Sequence, residues 1–562
     1  AGGNINYRKG KVNLFGNYNY GKRRTAEQLD LFREVKNGSS VTQFEQYAFS
    51  PTKRQSHTAK LGVDVQLGKN TSFGVVADGL LASNKDINNY SRTKIGSGAS
   101  VVDSSIEVTT NKITDTRSGS VSLNFRHRFG AKGGELSFDA DRSFFKRDGD
   151  EYLDNFYYLQ FDKTQPHKAP LFLRNHAISE IGITVAKLDY SVSLGEKNGK
   201  LEAGLKHSRV KGDNDLRFDS LSSGNWVKDP SKTNHFLYDE MVNAAYINYS
   251  GQFKKWEVTT GLRAEQTISE GNSITLSNVV KRNYLQFFPS VFLSYAHSDN
   301  HQFSMAYSRR VQRPNYEKLN PFIFFLDQYT YQQGNPYLQP SVSDNMELSY
   351  TWKQFLTTTL GWQRIADPSI TVTEQDDNTK VTYAIDRNLN TQHAYSFGVN
   401  AGLPVTQWWN TQNNAQAFYL GFKYQDANNN LNAGRLAFQF NSSNNFTLGK
   451  GWTAELNGSY QSPLQYGIFK LKPQWEIGAG VKKEIMKKRA SIRLSVDDFF
   501  NTSIGRISTN YQNMNIRFIE NSYNTIARLT FTMKFGKQDA QNRRRNAAAA
   551  EEKSRLNTGG SR

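Results

Sequence analysis

Residues 59–68 alternate strictly, with Ala59, Leu61, Val63, Val65 and Leu67 on one side and Lys60, Gly62, Asp64, Gln66 and Gly68 on the other. A period of two puts successive side chains on opposite faces of a β-strand, so one face meets an apolar medium and the other meets water. The pattern resumes after the turn at Gly68 to Asn70 with Phe73, Val75 and Ala77, and again with Val121, Leu123 and Phe125 opposite Ser122, Asn124 and Arg126. Near the C-terminus Trp475, Ile477, Ala479 and Val481 oppose Gln474, Glu476 and Lys482. Ala527, Leu529, Phe531, Met533 and Phe535 likewise oppose Arg528, Thr530, Thr532 and Lys534. The repeating unit is a strand of about ten to fourteen residues, a short turn, a second strand and a long polar loop.

Strands of soluble proteins are most often about five or six residues, whereas a tilted membrane-spanning strand needs roughly nine to eleven. The connections alternate in length: 195–199 is short and 211–240 long, 253–255 short and 269–283 moderately long, 298–301 short and 310–344 long. Short turns on one rim and long loops on the other are the pattern of outer-membrane β-barrels. Trp256, Trp352, Trp408, Trp409 and Trp452 all lie in or beside short turns, as expected for an aromatic girdle at a membrane–water interface. The fold class expected is therefore all-β, a large antiparallel transmembrane β-barrel in a bacterial outer membrane.

A mean hydropathy of −0.67 and 22% charged residues exclude a helical membrane protein, which needs runs of about twenty apolar residues. The formal charge of +19 raises the question of nucleic acid. The basic residues, however, are spread over strands, turns and loops, which suits contact with anionic lipopolysaccharide or an anionic ligand better. The chain has no cysteine.

About 21 strands are expected, including 4–9, 11–22, 55–68, 176–194, 355–375, 380–404 and 517–536. Single-chain bacterial barrels have even strand numbers, and the turn at Arg8 to Lys11 makes the first strand a descending one. Both point to an original of 22 strands with one lost before Ala1, in a chain that is a processed product or a fragment. The first and last strands are then expected to leave an open or poorly bonded seam. Within 176–194 the apolar set Ile181, Ile183 and Val185 changes phase to Leu188, Tyr190, Val192 and Leu194, which predicts a β-bulge near Ala186 and Lys187. The barrel is assigned to residues 1–536 and a polar basic tail, with Arg543, Arg544 and Arg545, to 537–562. The tail is expected to form a short periplasmic helix or to stay disordered.

The segment 307–350 carries Tyr307-Ser308-Arg309-Arg310, Arg313-Pro314, Leu319-Asn320-Pro321-Phe322, Gly334-Asn335-Pro336, Leu338, Pro340 and Glu347-Leu348-Ser349-Tyr350. It resembles the central barrel signature of TonB-dependent receptors, and most nearly the Bacteroidota outer-membrane β-barrel family. The opening Gly3-Asn4-Ile5-Asn6-Tyr7-Arg8-Lys9-Gly10-Lys11 through Tyr20 looks like that family's second barrel strand and the start of its third. The resemblance implies a 22-stranded barrel with an N-terminal plug that takes up a scarce nutrient with energy delivered by TonB. Neither the plug nor the TonB-contacting segment is in this sequence, so the partnership with the TonB complex is implied for the missing N-terminal region of the parent protein.

No catalytic constellation stands out, and neither an enzyme nor a cofactor is expected. His297 and His301 have helical metal-ligand spacing but flank a predicted tight turn. Gly212-Asp213-Asn214-Asp215 and Glu374-Gln375-Asp376-Asp377-Asn378 offer oxygen ligands but read better as solvated loop tips. Candidate ligand contacts are Phe322, Phe324, Phe325, Tyr329 and Tyr331, aromatic rings on a long loop, with Arg309, Arg310 and Arg313 where the strand enters it. These arginines could hold a carboxylate or phosphate or pair with carboxylates of the wall. The function expected is uptake of a small ligand across the outer membrane. An unplugged diffusion pore and a surface-binding or adhesin barrel are the alternatives.

Overall fold

The computed structural model of the chain describes residues 1–97, 101–130, 133–195, 199–425, 430–536 and 548–556, apart from the side chains of 324–326. The described structure is almost wholly β: one 26-stranded sheet and a separate four-stranded sheet. Within the large sheet, 21 strands from Gly2–Lys9 to Ile526–Met533 form a wall, each bonded antiparallel to the next wall strand in chain order. Tight turns at Gly10-Lys11, Lys254-Lys255, Asp299-Asn300 and Lys450-Gly451 mark its lower rim. Trp256, Trp352, Trp409 and Trp452 end or begin strands there. Gly10 has φ of 57°, a left-handed conformation that suits glycine.

The polar stretches read as long loops are, over much of the chain, continuations of the strands. Val12–Asn37 and Ser40–Gln66 pair without interruption from Val12↔Val65 to Asn37↔Ser40. At about 3.4 Å per residue such strands run far beyond the roughly nine to eleven residues that cross a membrane. Polar residues such as Lys22 to Gln28 line both faces of this hairpin, and backbone hydrogen bonding to Phe49 to Gln55 holds it.

The apolar pattern inverts with height. At membrane height large apolar side chains point outward: Val121 and Leu123 are 47% and 39% exposed, while Ser120 and Ser122 between them are buried. Higher on the same strand the inward positions are apolar, with Ile106 and Val108 buried. Leu188, Tyr190 and Leu194 are exposed on the outer face of Pro166–Leu194, whereas Ile181, Ile183 and Val185 are buried on the inner face. The expected bulge at Ala186 and Lys187 is absent, because Asp141↔Val185, Ala140↔Ala186 and Asp139↔Lys187 pair in unbroken register. The change of phase records a change of partner, lipid below and interior residues above. Those interior residues form a cluster in which Phe145, Ile183, Val185, Val210, Phe236 and Tyr238 pack on Tyr316, Leu319, Phe322 and Leu338. Full burial of each such side chain contributes about 1.5–3 kcal/mol.

Three expected strands divide in two. The stretch 355–375 breaks between Leu356–Ala366 and Ser369–Asp376, where Asp367 has φ of 52° and Pro368 has no N–H to give the ladder. The stretch 380–404 becomes Val381–Asn388 and Thr391–Pro404. The stretch 517–536 becomes the end of Met514–Asn521 and the whole of Ile526–Met533. Among the described residues no ladder joins Gly2–Lys9 to Ile526–Met533. Above them Met514–Asn521 pairs antiparallel with the upper part of Val12–Asn37, from Gln28↔Asn521 to Glu34↔Asn515. Met514 and Ile516 turn inward with Ile370, Leu389 and Phe422. Of the tail, Lys537 to Ala547, including Arg543, Arg544 and Arg545, lies outside the described residues. Ala550–Ser554 is a short helix in contact with the inner face of the wall.

Candidate functional site

Two connections on the upper side of the wall fold inward and make the small sheet. One supplies the hairpin Ile323–Asp327 and Thr330–Gln333, the other the hairpin Ser369–Asp376 and Val381–Asn388. Thr330–Gln333 runs parallel to Val381–Asn388, which joins them. The root of the first hairpin is clipped by the two Asn-Pro motifs of the sequence: Gly334 N–H donates to Phe322 O at 3.2 Å and Asn335 N–H to Lys318 O at 2.7 Å. A Cβ at Gly334 would collide with the Asn320 carbonyl. The second hairpin is tied to this root through Asp386, whose carboxylate accepts from Lys318 Nζ at 2.8 Å and Thr371 Oγ1 at 2.9 Å.

From that root the sheet reaches strands far away in sequence. Asp327, buried, accepts from Thr93 Oγ1 at 2.9 Å and Gln46 Nε2 at 3.3 Å through one oxygen, and from Tyr329 N–H at 2.8 Å through the other. Arg33 donates to Lys380 O at 2.8 Å and Thr382 Oγ1 at 3.0 Å, with its guanidinium 3.6 Å from the Phe44 ring centroid. Burial lowers the Arg33 pKa to about 10, against the opposing charge of Asp327. Tyr157 Oη donates to Gln328 Oε1 at 3.2 Å. The small sheet thus spans from its own roots, between residues 313 and 390, to wall strands between residues 12 and 159.

On this sheet Tyr331 and Tyr383 stack, with centroids 5.1 Å apart and planes at 9°. Tyr383 Oη donates to Glu374 Oε2 at 2.5 Å, and the same carboxylate pairs with Arg387. Burial first, and then the bond to Glu374, push the Tyr383 pKa up to about 12. Beside this group lies a cavity of about 390 Å³ lined by Glu374, Arg387, Tyr424, Leu431, Tyr511 and Met514, among others. A carboxylate, a guanidinium and phenols around an apolar floor form a pocket suited to a small amphipathic ligand.

The expected contact residues do not converge on one spot. Tyr331 is on the small sheet beside Tyr383, while Tyr329 packs on Phe44 at 5.5 Å. Phe322 is buried in the interior cluster, and the side chains of Phe324 and Phe325 lie outside the described part of the structure. Arg309 sits 4.0 Å from Asp344 and Arg310 is exposed. Arg313 is buried, donating to Glu265 Oε2 at 2.6 Å, Thr267 Oγ1 at 3.0 Å and Glu551 Oε1 at 2.8 Å. Arg33, Asp327, Tyr383 and Arg387 were not singled out by sequence, and Glu374 was read as part of a solvated acidic tip. In the structure it faces Tyr383 and Arg387. His301 bonds Tyr350 Oη at 2.7 Å, and Asp213 and Asp215 pair with His235 and Arg217. No group of three or more metal-ligating residues occurs among the described residues.

A wall of long antiparallel strands with an apolar outer belt, tryptophans on one rim and inward-folded connections on the other defines an outer-membrane β protein. Residues 127–533 match the outer membrane protein beta-barrel family, and the chain belongs to that family. No curated protein sequence matches it. Among solved structures it is similar to FpvA of P. aeruginosa bound to a pyoverdine–iron complex, with 10% identity over 88% of this chain and 71% of that one, at a TM-score of 0.53. It is similar to the ferric yersiniabactin uptake receptor FyuA of Yersinia pestis, with 11% identity over 89% and 79% of the chains and a TM-score of 0.54. The copper transporter OprC gives 11% identity over 92% and 82%, again at 0.54. At such identities the likeness is one of fold.

Proposed function

We propose that residues 1–536 form the barrel of a TonB-dependent uptake receptor that imports a scarce or bulky ligand across the outer membrane. The observation that carries this reading is the small sheet, which reaches across the inner face from its roots between residues 313 and 390 to strands between 12 and 159. A diffusion pore works by keeping its lumen open, whereas a receptor that admits selected cargo needs an interior that can bind and be rearranged. The barrel signature in 307–350 and the shared fold with uptake receptors support the same reading. Ligand contact is assigned to Glu374 and Arg387 in the cavity wall, with the Tyr331–Tyr383 stack beside them holding Glu374, and to Arg309 and Arg310 at the loop entrance. Phe322, Tyr329 and Arg313 hold the shape of the loop.

The test uses cells carrying or lacking the intact gene, supplied with one limiting nutrient at a time. Iron chelates and copper come first, because the structural relatives carry them, followed by cobalamin, oligosaccharide and peptide. Uptake of one of these is expected to need both the gene and TonB function. Gene-dependent uptake that survives loss of TonB would establish a diffusion pore instead, and surface binding without uptake would establish an adhesin.

A further inference from the structure

The apolar belt on the outer face of the wall is hollowed at one place beside the lower rim. Between the strands Trp256–Ser273 and Thr391–Pro404 lies a groove of about 530 Å³, a size typical of small-molecule sites. Its shape follows from two rows of outward side chains in register. The row nearer the rim runs Trp256, Tyr295, Phe303, Tyr350 and Thr358 across successive strands. The row above it runs Leu293, Met305, Leu348, Leu360 and Phe397. Aromatic rings thus form a ledge beside an aliphatic floor, and Phe397 closes the far end. Thr358, small and two residues into Leu356–Ala366, leaves the ledge open above the turn at Lys353 and Gln354.

The ledge is tied together. Trp256 and Tyr295 have ring centroids 4.7 Å apart, and Phe303 and Tyr350 5.0 Å. The Tyr350 hydroxyl is hydrogen-bonded to His301 Nδ1 at 2.7 Å, and these two rings stack. The rim under the groove is basic. Exposed Lys254 and Lys255 form one turn and exposed Lys353 lies two turns along, with Asp299 the carboxylate in the turn between. Lys255 Nζ donates to His297 O at 2.6 Å, and Lys353 Nζ lies 5.0 Å from the Trp352 ring centroid. Among the described residues none of these three lysines pairs with a carboxylate, and each ammonium carries three N–H donors.

The short turns of an outer-membrane barrel lie on the periplasmic side, where the leaflet is phospholipid. An apolar groove that opens onto a basic edge is complementary to a molecule with an apolar tail and an anionic head. We propose that this groove binds one anionic phospholipid of the periplasmic leaflet, an acyl chain lying on Leu293, Met305, Leu348 and Leu360 and the phosphate meeting Lys254, Lys255 and Lys353. The acyl chain passes the ledge at Thr358. Charge alone does not define the site, because Lys487, Lys488 and Arg489 crowd another turn of the same rim. The groove above the lysines is what selects a lipid here.

Native mass spectrometry reads the site on the purified full chain, equilibrated in detergent with equal amounts of phosphatidylglycerol and phosphatidylcholine of one chain length. One phosphatidylglycerol is expected to stay bound in preference to phosphatidylcholine. Lys254→Gln, Lys255→Gln and Lys353→Gln together should lower its retention about tenfold, since each lysine near an anionic head adds to the attraction. Lys487→Gln, Lys488→Gln and Arg489→Gln together should leave it unchanged. Leu360→Trp, which fills the groove and spares the lysines, should lower it as strongly as the first triple variant. Equal retention of the two lipids, or equal loss in both triple variants, would overturn the site as one for an anionic head. Undiminished retention in Leu360→Trp would overturn the groove as the seat of the acyl chain. A doubled mass in place of a bound lipid would make this face an interface between copies and overturn the proposal. The lysine variants sit on exposed turns, so their outcome stands whether or not Leu360→Trp folds, and none of these readouts involves ligand uptake.

Discussion

Arg33 shows how much of the small sheet's position rests on single side chains. Its guanidinium is taken out of water between the Phe44 ring, Lys380 O and Thr382 Oγ1, and a desolvated cation of this kind persists only where its geometry is satisfied. Two phenols near the sheet report the same environment through their protons. Burial, and then the bond to Glu374, raise Tyr383 to about 12. Burial, and then Tyr329 and Asp327, raise Tyr157 to about 12. A folded pKa above the ordinary value of 10 means that the neutral phenol is favoured by folding. That contribution is therefore complete below pH 10 and is lost as pH rises through about 12. Phenolate absorbance should show late-titrating tyrosines, of which Tyr383→Phe removes one and Tyr157→Phe another. Titration of both near 10 would mean that the small sheet does not pack as described.

The strands carry two messages in one alternation. Their outer, lower faces were legible in sequence because lipid leaves a single apolar stripe, as in Val121 and Leu123. The upper halves were not, for two physical reasons. Polar residues on both faces, as in Lys22 to Gln28, give no period, so paired hairpins read as loops. An apolar set that moves from the outer to the inner face, as between Leu188 and Val185, produces the phase change of a bulge without an inserted residue. The candidate site was legible only in its roots, in the Asn-Pro motifs and the aromatic run. Its charged pair, Glu374 with Arg387, lies on one hairpin whose tip read as a solvated acidic loop, while Arg33 and Asp327 come from segments far apart in sequence and meet the small sheet's partners only in the fold. The inversion has an energetic test. Ile183→Ala should open a cavity in close-packed interior and cost about 2–5 kcal/mol. Leu188→Ala, where lipid fills the space, should cost clearly less. Equal losses in denaturant unfolding from vesicles would remove the distinction between the faces.

At the scale of the whole molecule, a wall of membrane-crossing strands rises well above the bilayer, and the connections at its top turn inward over an interior that also takes in Ala549 to Leu556. Everything functional follows from the wall having one face in lipid and the other around an occupied interior. The most direct measurement of that claim places single cysteines at positions 120 to 123, attaches a fluorophore and records quenching by brominated lipid in vesicles. Strong quenching at 121 and 123 with little at 120 and 122, where Ser120 and Ser122 face inward and are buried, is the expected result. Equal quenching at all four positions, or none at any, would contradict it.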